Sequence, residues 1–224
     1  GFHVGASNDP MTYGKAMAKK GDVVFISVNH RLNILGFLDL SACDPQYAYS
    51  ANVGMLDIVK AMEWIQKNIE AFGGNPDDVT ILGESGGGGK VGTLMCMPAA
   101  RGLFHKAIIQ SGTLLNVMTK EKSQALGLAV LDTLGLTPGE VAKLDTLPYH
   151  VLVKAGNDAI AKISGPRKPG SPTMFGFSPS ADGVVLLQQP FSPGFADISK
   201  EIPLMIGSTL NELMKTYYGV KDMT

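Results

Sequence analysis

The chain is poor in cysteine, in long apolar runs and in any excess of charge, and each shortage excludes a class of protein. Two cysteines in 224 residues, Cys43 and Cys96, are too few for a disulfide framework, and no Cys-x-x-Cys or His/Cys cluster offers metal-binding spacing. Both are expected to be small buried residues, and no metal or other cofactor is expected. No apolar run approaches the roughly 20 residues that span a bilayer, and no basic segment followed by an apolar one opens the chain. Nineteen basic and 20 acidic residues leave a formal charge of -1, so nothing points to nucleic acid or an anionic surface. A neutral small molecule is the expected partner. No Asn-x-Ser/Thr sequon occurs, which removes one sign of secretion and leaves the compartment and the oligomeric state open. The chain starts with Gly1 rather than Met, so its true beginning is expected to lie upstream.

What is present is apolar. Forty-five per cent apolar against 17% charged residues describes a folded chain with much buried surface. The runs "GDVVFISV" (21–28), "VTIL" (79–82), "KAIIQ" (106–110) and "IPLMIG" (202–207) read as strands of a parallel sheet buried on both faces. Between the first two, Met55, Ile58, Val59, Met62, Ile65, Ile69 and Phe72 recur at three- and four-residue spacing, one face of a helix. Asn52 is the expected N-cap, and Gly73, Gly74 and Pro76 the stop signal. The order strand, helix, strand, glycine turn, helix, strand predicts an α/β fold with a mostly parallel central sheet flanked by helices. Residues 123–163 read as mostly helical, with Pro138 and Pro148 before helix starts, and "SGPRKPGSP" (164–172) as a solvated loop. The second half is therefore expected to be a helical cap on the sheet.

The stretch "VTILGESGGGGKVGTLM" (79–95) carries the chemistry, and three readings compete for it. A Walker phosphate loop needs Gly-x-x-x-x-Gly-Lys-Ser/Thr, but Glu84 stands where its first glycine belongs and Val91 where its hydroxyl belongs. A dinucleotide turn, Gly-x-Gly-x-x-Gly, is formally met by Gly87, Gly89 and Gly92. Its ribose-binding acid is missing, because no Asp or Glu occurs between Glu84 and Glu121. The nucleophile elbow Gly-x-Ser-x-Gly is met by Gly83, Ser85 and Gly87 at a strand-to-helix junction, where it lifts the serine hydroxyl clear of the sheet. The bland alternative makes Ser85 an ordinary helix cap.

The longer stretch "NVGMLDIVKAMEWIQKNIEAFGGNPDDVTILGESGGG" resembles the type-B carboxylesterase and cholinesterase family. "NHRLNILGFL" (29–38), "GLFHKAIIQSG" (102–112), "PSADGVVL" (179–186) and "IPLMIGSTLNE" (202–212) follow in that family's order. The resemblance implies an α/β-hydrolase fold with residues 1–122 as core, 123–178 as helical cap and loop, and 179–224 returning to the core. It implies a serine carboxylic-ester hydrolase acting on neutral short-chain or aryl esters. Ser85 would be the nucleophile, Glu212 the triad acid, and the N–H groups of Gly1 and Gly86 the oxyanion hole. Glu84 and Ser111 match positions around the triad, with bland alternatives as a helix-start acid and a turn residue. The family usually has Ala where Gly86 stands, a change expected to matter little because the donor is a backbone group.

Arg31 and Asp57 match a pair bridging strand and helix. Lys90 is expected on the solvated side of its helix, and Met55, Met62, Met95 and Met97 in the core. None of His3, His30, His105 and His150 matches the family's catalytic histidine, so the chain is expected to be part of a longer enzyme. The competing functional reading is a cholinesterase-like binding or adhesion module without catalysis.

Overall fold

Three parallel strands form the centre of the fold. The structure is a computed structural model and describes residues 1–112, 116–164, 176–194, 196–210 and 212. Its elements, in chain order, are α1 (Lys15–Gly21), α2 (Asn33–Phe37), α3 (Val53–Asn68), β1 (Thr80–Glu84), α4 (Gly86–Leu94), β2 (Lys106–Gln110), β3 (Met118–Thr119), α5 (Lys120–Thr133), α6 (Tyr149–Ser164), β4 (Ser180–Ala181) and β5 (Leu204–Gly207). The main sheet has the order β1-β2-β5, with β2 in the middle. Its register pairs Glu84 with Gln110 and Gln110 with Gly207, so the three strands end in line. β3 and β4 form a second, two-residue parallel pair that the sequence patterning does not signal.

Packing explains which residues fall inside. Ala107 and Ile109 of β2 are buried, as are Val91 and Leu94 of α4, which lies on β1 and β2. On α3 the spaced residues Met55, Val59, Met62 and Ile65 are buried, followed by Ile69 in a closing 3-10 turn. Gly73 ends that turn at φ 81°, in the left-handed region glycine enters without steric cost. Met95 and Met97 join Met55 and Met62 in the core. Residues 120–164 are mostly helical, α5 packing on α6, with Pro138 opening a 3-10 segment and Pro148 preceding α6. The predicted loop 164–172 lies, beyond Ser164, outside the described residues.

Three expectations change. Residues 22–32, which include most of the predicted first strand, form no ladder among the described residues. Val23, Val24 and Ile26 there are more than a third exposed. Apolar, β-branched composition favours extension, but a strand exists only where a neighbour takes its N–H and C=O groups. Asn52 sits at the start of α3 without capping it. Its amide donates to the Ser180 carbonyl at 2.8 Å and to Asp182 Oδ2 at 2.9 Å, and its Oδ1 accepts from the Ser180 N–H at 3.0 Å. Full burial makes these cross-chain bonds obligatory, and that need outweighs the local cap. Of the thiols, Cys96 is buried and its Sγ contacts the Pro190 carbonyl at 3.0 Å, whereas Cys43 is only partly buried.

Candidate active site

The candidate residues gather at the carboxyl ends of the three parallel strands, the edge at which open α/β sheets bind ligands. Ser85 follows β1 directly with φ 53° and ψ −122°. Its N–H donates to the Gln110 carbonyl at 2.8 Å, prolonging the ladder by one residue, and its carbonyl accepts from Gly89 N–H at 3.0 Å in the first turn of α4. Strand and helix are thus joined with no spare residue, and the serine side chain is exposed.

Glycines make this junction possible, though not all those of the motif. A Cβ on Gly83 would lie 2.2 Å from the carbonyl carbon and oxygen of Gly87, and one on Gly112 would lie 2.0 Å from the Ser85 carbonyl oxygen. Both are backbone collisions that no rotamer relieves. A Cβ on Gly87 would meet nothing within 4 Å, so the second motif glycine is not required by space. Gly112 belongs to the site and lies outside the five-residue pattern.

Ser111 and Glu212 complete the edge. Ser111 continues β2 with φ 50°, its N–H donating to the Gly207 carbonyl at 2.8 Å. Glu212 has φ 44°, and its carboxylate accepts from the Thr209 N–H at 2.7 Å while its own N–H donates to Thr209 Oγ1 at 3.1 Å. The Ser111 hydroxyl, and next the Thr209 N–H, hold the Glu212 carboxyl below the usual glutamate range. Among the described residues, three of the five non-glycine residues at positive φ are Ser85, Ser111 and Glu212; the first two directly follow β1 and β2, and Glu212 lies further along the chain after β5. Such backbone costs on the order of 1–3 kcal/mol each and gathers at functional sites. Glu84, the last residue of β1, is exposed.

Gly1 lies against Gly86. A Cβ on Gly86 would stand 2.8 Å from Gly1 Cα and 3.0 Å from Phe2 N, so an alanine here would have to push the Gly1–Phe2 segment outward. The glycine in place of the family's Ala thus sets how near this segment can come, more than the expectation allowed.

Lys90 is not on a solvated face. It is 5% exposed, its Nζ donates to the Gly1 carbonyl at 2.6 Å, and it lies 5.0 Å from the centre of the Phe2 ring. Burial pulls its pKa down to about 8. Helix α4 is buried from Gly88 to Leu94, so its single charge had no solvent face to occupy. The signal was the string itself, one lysine among glycines and apolar residues.

His30 is half-buried nearby, with both ring nitrogens enclosed. Burial first, then the Lys90 charge, lowers its pKa to about 4. Neither ring nitrogen makes a well-formed hydrogen bond; the Val28 carbonyl offsets the shift only in part.

The other histidines lie elsewhere. The His3 ring packs on Gly176. His105 precedes β2, at the opposite end of the sheet, and its Nδ1 accepts from the Val79 N–H at 3.1 Å. His150 is exposed on α6. Among the described residues none of the four bonds to Ser85. Arg31 grips Asp57 of α3 at 2.9 and 2.7 Å and donates its own N–H to the same carboxylate at 2.9 Å. It does so from an irregular segment rather than from a strand.

The carboxylesterase family model matches residues 1–223. The chain belongs to the carboxylesterase family. The chain is 39% identical over 211 residues to the para-nitrobenzyl esterase of Bacillus subtilis, covering 94% of the chain and 42% of that enzyme. It is 32% identical over 215 residues to the fumonisin B1 esterase of Sphingopyxis macrogoltabida, covering 95% of the chain and 37% of that enzyme. Its structure superposes on a thermophilic para-nitrobenzyl esterase with a TM-score of 0.86 and 34% identity, over 99% of the chain and 44% of the other. A Geobacillus stearothermophilus carboxylesterase gives 0.83 and 35%, over 98% and 44%. The fold is therefore that of the α/β-hydrolases. The chain spans about two fifths of the length of these relatives, and among its described residues no single helix is long and apolar enough to cross a membrane.

Proposed function

We propose that the protein carrying this chain is a serine carboxylic-ester hydrolase in which Ser85 is the nucleophile. The observation that carries this is the placement of Ser85 at positive φ between β1 and α4, with Gly1 against Gly86 beside it. The Ser85 hydroxyl attacks the ester carbonyl, forming the Oγ–C bond, and its proton passes to a histidine that lies outside this chain. That histidine then protonates the departing alcohol as the C–O bond breaks, and water repeats the sequence to free the acid and restore Ser85.

Glu212 orients the histidine and stabilises its charged form, with Ser111 holding the carboxylate ionised and in place. Gly1 and Gly86 N–H groups receive the oxyanion, each such donor being worth about 3 kcal/mol in the transition state. Glu84 is assigned a supporting place beside the nucleophile. In this reading 1–122 and 179–224 form the core and 123–178 the cap.

The substrates are neutral short-chain or aryl esters. The near-zero charge of the chain supports this, as does the name of the para-nitrobenzyl esterase relative. The test is hydrolysis of a chromogenic short-chain ester by the full-length protein. Ser85→Ala is expected to lower kcat by at least about a thousandfold with the fold intact; activity that survives the substitution removes Ser85 from the mechanism.

A further inference from the structure

Lys90 is a buried charge that the triad does not use. It stands four residues after Gly86 on α4, so the two share one face of the helix, and its side chain leans back toward the helix start. Gly86 meets Gly1 at the Cα, and Lys90 reaches the Gly1 carbonyl from one turn further along. We propose that Lys90 is a positioning residue whose ammonium grips the Gly1 carbonyl and fixes the Gly1–Phe2 peptide against Gly86, setting the geometry of the oxyanion hole. This rests on the esterase reading above.

Packing alone does not account for a lysine here. Burying an ammonium costs several kcal/mol even after relaxation, and a methionine would fill the same volume without it. The offsetting contacts are the Gly1 carbonyl and the face of Phe2, both on the one segment that abuts the elbow. The Gly1 amine has its own pKa lowered by burial and by the Lys90 charge, and the other groups facing Lys90 leave it the acting charge. His30, from the segment between Val28 and Arg31, is neutral above about pH 4. Arg31 and Asp57 neutralise each other, and Glu84 is exposed at the end of β1. With its pKa near 8, Lys90 holds its charge at neutral pH and gives it up as the medium becomes alkaline.

The experiment uses the full-length protein, a chromogenic short-chain ester, and a trifluoromethyl ketone as mimic of the tetrahedral intermediate. Wild-type kcat is expected to decline with a midpoint near pH 8, and inhibition by the ketone to weaken in parallel. Lys90→Met is expected to lower kcat about tenfold or more, to weaken the ketone by a similar factor, to change KM by less than about threefold, and to lose the alkaline decline. Lys90→Arg, charged at every pH used, is expected to recover part of the rate and to show no decline near pH 8.

Wild-type kcat, ketone affinity and pH profile in Lys90→Met would overturn the proposal. If that variant does not fold, a wild-type kcat and ketone affinity that stay flat between about pH 7 and about pH 9.5 overturn it instead. An organophosphorus reagent separates the two claims. Labelling of Ser85 alongside a silent Lys90 defeats only the positioning role, whereas no labelling defeats the esterase reading itself.

Discussion

A Cβ on Gly83 would strike the Gly87 carbonyl at 2.2 Å, while one on Gly87 would touch nothing within 4 Å. The two glycines of one motif are therefore under different constraints. Gly83→Ala is expected to destabilise by more than about 2 kcal/mol, because backbone rather than a side-chain tip must move. Gly87→Ala is expected to be neutral or to stabilise by up to about 1 kcal/mol, since alanine suits the first turn of a helix better than glycine. Urea unfolding of the two variants measures the difference, and equal losses would show that the elbow is not packed as described.

Residue identity alone made Ser85 legible, because the five-residue pattern at a strand end is local. Gly112 was not legible, since it approaches Ser85 only through the pairing of β1 with β2. Lys90 departs from the expected solvated position because charge on a helix usually marks its solvent face, and α4 is buried from Gly88 to Leu94.

At the level of elements, strands with an apolar run between turn signals were readable where a partner exists, as for β1, β2 and β5. Residues 22–32 carry a similar signal and have no ladder among the described residues, because pairing belongs to the sheet and not to the segment. α3 was readable from its 3.6-residue period and its glycine stop. The buried work of Asn52 was not, since its partners Ser180 and Asp182 lie about 130 residues away. The same network continues through Ser123, whose hydroxyl donates to Asp39 Oδ2 and lies 3.0 Å from the Ser180 hydroxyl. α5 and the short β3–β4 pair are thereby tied to the turn that leads into α3. These polar bonds fix how the helical layer sits on the core, which apolar contacts alone specify loosely.

For the whole molecule, His30 gives the stability a pH dependence of definite sign. Its pKa is about 4 when folded against 6.5 ordinarily, so the unfolded chain binds more protons between those values. Stability then rises with pH across this window and is lost as pH falls from about 6.5 to about 4. Asp57, held below the usual aspartate range by the Arg31 guanidinium, adds a loss of the same sign only at lower pH, as it takes up its proton. Replacing His30 by phenylalanine is expected to flatten the first slope. Melting temperatures of both proteins at about pH 7 and about pH 4.5 check this, and an unchanged slope would mean that the ring is solvated rather than enclosed beside Lys90.

Ser85 as an activated nucleophile is the claim on which the rest depends, and covalent capture tests it most directly. The full-length protein is treated with an organophosphorus ester, digested, and the peptide containing residues 79–95 is weighed by mass spectrometry. The expected result is one phosphoryl adduct on Ser85, formed in step with loss of ester hydrolysis and absent from Ser85→Ala. Full inactivation with Ser85 unmodified, or an adduct on another residue, would contradict the account.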